Sequence, residues 1–482
     1  MRSLPFVVAL APLLAAADAG AQARDHRSSD SPDVVDVPPW WSRLYLRPTA
    51  LHVIDGFRYP AHTLDPIALF MADQEISDAA YSVDQGTWTT GIERMQVAQG
   101  SNEHHISAAG TAGWQSGDVT ATASGPISRD HAWFFGGVAP RMDGSWSAIP
   151  WAASVSFAVD PEMMGTAWAT GAATEGVTST VFGAALDEPV AFSQFGAVAG
   201  HSWRFRLHDY RTEVRLGVGA SKERIEIETT AMPQTVTDDR AAFRGVLVRR
   251  VRLGGNHQLS AGFDSALGSA NDTVRMRSLD TAEMSLYAGD SWQLLPNLTI
   301  DAGTRWDSQL AGRGGSDERL EQWSPRAGAI WDWTREGRSK LYAHWGRYFR
   351  PATLDAPNAE TIDEAIAGAE YEVVENISVG VAGVHRTDHH SVRVNATSRS
   401  RWLRGSLLYD SHLGLDLRAG AQLSFLSPYL VASARIHTAA RVPSSIRLEY
   451  YTLLFDQKVR WFSDVLVDEA APDVRLGLRA DW

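Results

Sequence analysis

The residues best suited to chemistry in this chain lie in "HRTDHH". On an extended strand His385 and His389 share a face, with Asp388 and His390 beside them, and imidazole together with carboxylate is a donor set that transition metals accept. His104 and His105 form a second pair. Neither group carries the neighbouring carboxylate or carbonyl pattern that orients a metal-bound ring, so solvated histidines at chain reversals are the favoured reading, and no metal or cofactor is expected. No phosphate loop, HExxH, GxSxG or dinucleotide fingerprint occurs, and the chain reads as something other than an enzyme. Four arginines, Arg305, Arg347, Arg418 and Arg479, fall on the polar faces of alternating stretches. There they either select solutes along a wet interior or, more simply, pair with carboxylates of the same wall.

The elements that would hold these groups are strands. In "NLTIDAGTRWD" Leu298, Ile300, Ala302, Thr304 and Trp306 alternate with Asp301, Gly303, Arg305 and Asp307. "AEMSLYAGDSWQLL" and "GLDLRAGAQLSF" repeat the pattern, and the chain ends on it: Val474, Leu476, Leu478, Ala480 and Trp482 share one face of "DVRLGLRADW". A soluble sandwich buries such an apolar face, whereas a membrane barrel turns it to lipid and leaves the polar face wet. The polar set contains Asp301, Arg305 and Asp307 in one run, which a dry core would accept only at prohibitive cost. The runs are about ten residues long, the length a tilted strand needs to cross hydrocarbon. Turn residues separate them, as in "LLPNL", "LGGNH" and "AAPD". The pattern predicts an all-β fold, an antiparallel transmembrane β-barrel of about 16 to 20 strands over residues 104–482.

Composition agrees. Eighteen Trp, 12 Tyr and 40 Gly accompany a charged fraction of 21%, and the mean hydropathy is −0.20, as expected where each outward apolar residue is offset by an inward polar one. Zero cysteines excludes a disulfide scaffold and thiolate chemistry, and a net charge of −13 without a basic block argues against nucleic acid as a partner. The first residues, "MRSLPFVVALAPLLAAADAGAQA", have the charge, the apolar run and the Ala-Gln-Ala site of an export signal, so residues 1–23 are expected to be a cleaved signal peptide. Residues 24–48 read as a flexible, proline-bearing segment. Residues 49–103 lack sustained alternation and read as a small α/β element, too small to carry a large core alone.

Several stretches are also familiar as a set. "VIDGFRYP", "QGSNEHHISAAGTAGW", "GPISRDHAWFFGGVAP", "AGDSWQLLPNLTIDAGTRWD", "WSPRAGAIWDW", "KLYAHWGRYFRP" and "DEAIAGAEYEVVENISVGVAGVHR" resemble, in order, the plug signature and successive barrel strands of Oar-like TonB-dependent receptors. The resemblance implies an outer-membrane protein in a shortened form with a reduced plug at 49–103. It implies capture of an unidentified small ligand and plug movement driven by TonB. It also implies roles for particular residues. Asp33, Val34, Val35, Asp36 and Val37 stand where the family carries its TonB-pairing segment, and Asp55 and Gly56 stand at the plug turn. Val474, Leu476, Leu478, Ala480 and Trp482 form the terminal signal read by the barrel-assembly machinery, lipid being the remaining partner. A passive, porin-like barrel that has lost TonB coupling is the alternative, and a soluble exported sandwich is the third reading.

If the terminal apolar face meets hydrocarbon, Leu478→Arg costs about 2 to 4 kcal/mol. Loss of membrane yield and of heat-modifiable gel mobility checks it, and a fully heat-resistant variant refutes the lipid-facing assignment.

Overall fold

The alternation is realised as a sheet that closes on itself. The computed structural model describes residues 35–36, 51–54, 57–58, 70–77 and 83 of the N-terminal region. From 92 to 481 it describes the chain apart from short turns, with side-chain surroundings given as far as residue 387. The barrel is antiparallel and, among the described residues, contains 23 strand segments. Two of these, Ala132–Val138 and Arg141–Asp143, pair with the same neighbours, Ser116–Ser128 and Trp146–Asp160, and are halves of one strand interrupted at Pro140. The wall therefore has 22 staves, more than the 16 to 20 expected. The alternation is weakest at the two ends of the wall. His105–Ala112 and Ser116–Ser128 are built largely of Ser, Ala, Gly and Thr, and beyond Ile377 the strands shrink to 8 to 10 residues.

Closure occurs between the last strand and the first. Leu476 registers with Ala112, Leu478 with Gly110, Ala480 with Ala108 and Asp481 with Ser107. Pairing then carries that face on to Ile106 and Val119, both exposed and apolar. The register thus sets Leu476, Leu478 and Ala480 opposite the first-strand positions that share a face with Ile106, and Val474 lies two residues before Leu476 in the same strand. Trp482 lies outside the described residues.

Wall height is uneven. Strands from Met163–Val181 to Ser316–Trp331 run 16 to 24 residues, well beyond the length that spans a bilayer. Their outward faces change character along their length. In Thr212–Glu228 the outward series is Val214, Leu216, Val218 and Ala220, then Lys222, Arg224 and Glu226. The charged part is ion-paired, Lys222 to Asp239 at 3.6 Å and Arg224 to Glu226 at 2.5 Å. Below it, exposed aromatic and aliphatic side chains such as Phe243, Leu247, Leu286, Leu310, Trp323, Trp331 and Trp345 make an apolar belt. Such a belt in water would cost far more than scattered exposed residues do, and lipid removes that cost. No described helix is long and apolar enough to cross a membrane.

The N-terminal residues form a separate five-stranded sheet in the spatial order Val35–Asp36, Met71–Ser77, Ile92–Val97, Leu51–Ile54, Phe57–Arg58. The described residues of 49–103 are almost all strand, so the expected mixed α/β element is a sheet, and it draws in Val35–Asp36 from the stretch read as a flexible segment. Asp55 and Gly56 lie outside the described residues; Ile54 registers with Phe57, and Val53 with Arg58.

One turn is fastened by a single carboxylate. Asp332, fully buried between Ser316–Trp331 and Ser339–Arg350, accepts hydrogen bonds from Thr334 Oγ1 (2.6 Å), Ser339 Oγ (2.6 Å), Thr334 N (3.1 Å) and Gly337 N (2.6 Å). Gly337 supplies the left-handed φ of 70° that aims its N–H inward. Burial pushes the Asp332 pKa up, but the bonds from Ser339, Thr334 and Gly337 outweigh it and hold the carboxyl below its ordinary value. A depressed native pKa gives stability that is fully present above the unfolded value, about pH 4, and is lost as pH falls through the native value. The heat-modifiable transition should therefore hold steady from pH 7 to 5 and drop below pH 4. Asp332→Asn should lower the transition at neutral pH, at a cost of about 1 to 3 kcal/mol, and flatten the acid decline. An unchanged acid profile in the variant would contradict the role given to Asp332.

Candidate functional site: the occupied lumen

Inward positions along the tall strands carry polar groups, and pairing stacks them into a ladder. Arg305, 3% exposed, is its centre. Its guanidinium donates to Asp307 Oδ1 (2.7 Å) and Asp264 Oδ2 (2.9 Å), lies 5.2 Å from the Tyr287 ring centroid, and reaches the carbonyl of Val83 at 3.5 Å. Asp307 also accepts from Ser285 (2.7 Å), and Asp264 has Arg244 at 3.6 Å. Beyond this cluster Arg240 grips Glu283 with both terminal nitrogens (3.1 and 2.5 Å), Arg386 pairs with buried Glu364, and Arg326 lies 4.4 Å from the Tyr348 ring centroid. Burying these charges would be unaffordable singly. In mutual pairs they form a rigid lining.

Onto this lining sits the N-terminal sheet. Ile54, Phe57, Phe70 and Val97 bury themselves against inward-facing wall residues that include Trp168, Val198 and Ala152, and against Phe135. Phe57 and Trp168 approach to 6.2 Å between ring centroids, and Phe70 and Phe135 to 6.4 Å. Ser154 Oγ donates to the Ala98 carbonyl at 2.6 Å. Farther round, Val83 enters a notch in the wall made by Gly289 and Gly303, where a Cβ built on Gly289 would stand 2.8 Å from a Val83 methyl and one on Gly303 closer still. The sheet thus sits inside the barrel.

Asn102 fixes the passage from sheet to wall. Its amide donates to Asp130 Oδ1 (2.6 Å) and its carbonyl oxygen accepts from Asp130 N (2.9 Å) and Trp133 Nε1 (2.7 Å). This joins "QGSNEHH" to the "SRDHAW" turn, where Asp130 has a φ of 63°. The two stretches are about 28 residues apart, and no periodicity links them. The available signal was an Asn that can both donate and accept, set beside a turn with unsatisfied backbone groups.

The residues singled out from sequence are placed as follows. Arg305 lines the lumen as expected. Arg347, expected inward, is on the outer face, bonded to Asp363 at 2.8 and 3.1 Å. Its strand, Ser339–Arg350, carries aromatics on both faces, Tyr342 and Tyr348 inward and Trp345 outward, so polarity did not mark the inside. Arg418 and Arg479 lie on strands whose side chains are outside the description. His385 is exposed and registers with His390 across a turn, while Asp388 and His389 fall outside the described residues. His104 and His105 are both exposed. Among the described residues no group of three His, Cys, Asp or Glu could hold a metal ion. Of Asp33, Val34, Val35, Asp36 and Val37, only Val35 and Asp36 are described. They form an edge strand paired with Ile76 and Glu75.

Residues 165–395 match the family model described as TonB dependent receptor-like, beta-barrel. A curated relative, the TonB-dependent transporter Oar of Myxococcus xanthus, is 38% identical over 72 residues, a stretch covering 14% of this chain and 7% of the relative's length. Solved structures resemble the whole fold at low identity. The alcaligin outer-membrane receptor FauA of Bordetella pertussis has 13% identity and a TM-score of 0.73, covering 94% of this chain and 91% of that one. The siderophore receptor PiuA of Acinetobacter baumannii has 9% and 0.74, covering 90% and 89%. The ferric-catecholate import receptor Fiu of Escherichia coli K12, in its open form, has 11% and 0.75, covering 90% of each chain.

The glycine notch makes the seating of the sheet testable. Gly289→Ala should push Val83 out of place at a cost of about 1 to 3 kcal/mol, seen as faster proteolysis of the N-terminal sheet and raised single-channel conductance in planar bilayers. Adding Val83→Ala should restore the wild-type behaviour. A variant that conducts and digests like wild type would mean that Val83 does not hold the sheet.

Proposed function

We propose that this chain is a TonB-dependent outer-membrane receptor whose inner sheet closes the lumen until a ligand is captured. The observation that carries this reading is the seating of the sheet inside a barrel of 22 staves, through Phe57 on Trp168, Phe70 on Phe135 and Val83 in its glycine notch. A barrel of that size is a wide aqueous hole unless something fills it. A filling held by apolar contacts and the hydrogen bonds of Ser154 and Arg305 is seated firmly, yet its strands pair with none of the wall. Moving it needs work from outside the barrel.

Val35–Asp36 is the place where that work would be applied. It is an end strand of the inner sheet, so its far edge can accept another strand by backbone pairing, and a pull there is transmitted through Met71–Ser77 to Ile92–Val97. Pro38 and Pro39, which lack N–H donors, limit the pairing to a few residues. Iron chelates are the first ligand class to test, because the structural neighbours are named as siderophore receptors. The second reading, a passive barrel with a permanently seated sheet, is supported by the same contacts and separated by the experiment below.

A cysteine at Val35 should cross-link to TonB in cells, more strongly when a ferric hydroxamate or catecholate chelate is supplied under iron limitation. Deleting residues 33–37 should abolish growth on that chelate while leaving membrane yield intact. No cross-link, together with unimpaired growth of the deletion strain on a chelate that depends on this protein, would decide for the passive barrel.

A further inference from the structure

The inward ladder is balanced at its centre but not at the end where the chain enters the barrel. There a cavity of about 390 Å³ lies between Val83 and the wall, lined among others by Arg206, Arg211, Arg215, Arg250 and Arg326. Its carboxylates are Glu213, Asp290 and Asp301. Glu213 is shared by Arg206 (3.8 Å) and Arg215, and Asp290 is bonded at 2.6 Å to His257. Arg211 and Arg250 form no ion pair with any described residue, although the Arg250 N–H donates to the Arg211 carbonyl at 2.8 Å and so keeps the two residues adjacent. Arg204, one inward step above Arg206, donates to Met164 Sδ at 3.3 Å and adds a further positive charge.

We infer that this cavity is a binding site for an oxyanion bearing two or more negative charges, a phosphate or polycarboxylate group. Arg211 and Arg250, which pair with no described residue, stand in one lining with Arg215 and repel it and each other, and an anion that bridges the three removes that repulsion. The planar fork of each arginine matches two oxygens of a carboxylate or phosphate. Gln258, Ser260 and Ser291, also in the lining, add neutral donors. The volume suits a compact multivalent anion. The site lies past the seated sheet from the far rim, so in a receptor it would meet the ligand, or an anionic part of it, after the sheet has moved. That placement rests on the proposed function; the binding itself does not.

Calorimetric titration of the full-length purified protein in neutral detergent, with pyrophosphate and citrate in separate runs, tests the inference without TonB or membrane energy. Saturable binding of either probe is expected, weakened at least tenfold by Arg215→Gln combined with Arg250→Gln and weakened by added salt. Ser291→Asp, which adds a negative charge to the lining without removing an arginine, should weaken it likewise. Arg319→Gln, on the outer face where Arg319 pairs with Glu321, should bind like wild type. Heat-modifiable mobility establishes that each variant is folded, and Ser291→Asp serves alone if the double variant is not. Absence of saturable binding of both probes, or binding unchanged in folded cavity variants, overturns the inference. Absence of any TonB-driven uptake by the unaltered protein, with anion binding retained, would overturn the receptor reading and leave the anion site standing.

Discussion

Everything in this molecule depends on one run of backbone pairing, the seam that joins Leu476–Asp481 to Ser107–Ala112. A sheet of 22 staves left open would present two unpaired edges, and in lipid each unpaired N–H or C=O costs several kcal/mol. Closure removes both edges at once. It also fixes which side of every strand is the inside, because the register at the seam ties the outward face of the first strand to that of the last. The alternation of the whole chain has to agree with that choice.

Given an inside, the polar halves of the strands have to satisfy one another. Arg305 illustrates how. Its two carboxylates come from its own strand and from Asn256–Asp272, and its remaining reach goes to the N-terminal sheet. A group that neutralises the wall and touches what fills it couples the two. The apolar contacts around Phe57 and Phe70 supply burial, and the arginine and the glycine notch supply position.

Much of this was legible in the sequence, and the reason is the strict two-residue period. In Leu298–Arg313 the assignment of Leu298, Ile300 and Ala302 outward and Asp301, Arg305 and Asp307 inward followed from polarity alone, because one face contained every charge. In Ser339–Arg350 the same reasoning placed Arg347 inside, and it is outside, since tyrosine and tryptophan serve on both faces. The number of staves was underestimated for a related reason: Ser, Ala, Gly and Thr in the first two strands give alternation almost no amplitude. The clamp at Asn102, the carboxylate at Asp332 and the arginine cavity are products of tertiary register. Their members are remote in sequence or belong to turns, where periodicity carries no information. The seating of the inner sheet is likewise a product of tertiary contact: the aromatic pairs that fix it join residues about 65 to 110 positions apart.

The unequal length of the staves has a geometrical result. With Ala184–Leu207 at 24 residues and Gly414–Leu423 at 10, a rise of about 3.3 Å per residue and a tilt near 40° make one flank of the rim stand roughly 35 Å above the opposite one. The mouth is then oblique, like a pipe cut on a bevel. Its low lip is close to the level of the lipid head groups, and its high flank, faced with Lys222, Arg224 and their carboxylate partners, rises as a backstop. The slope of the rim is thereby written into strand length.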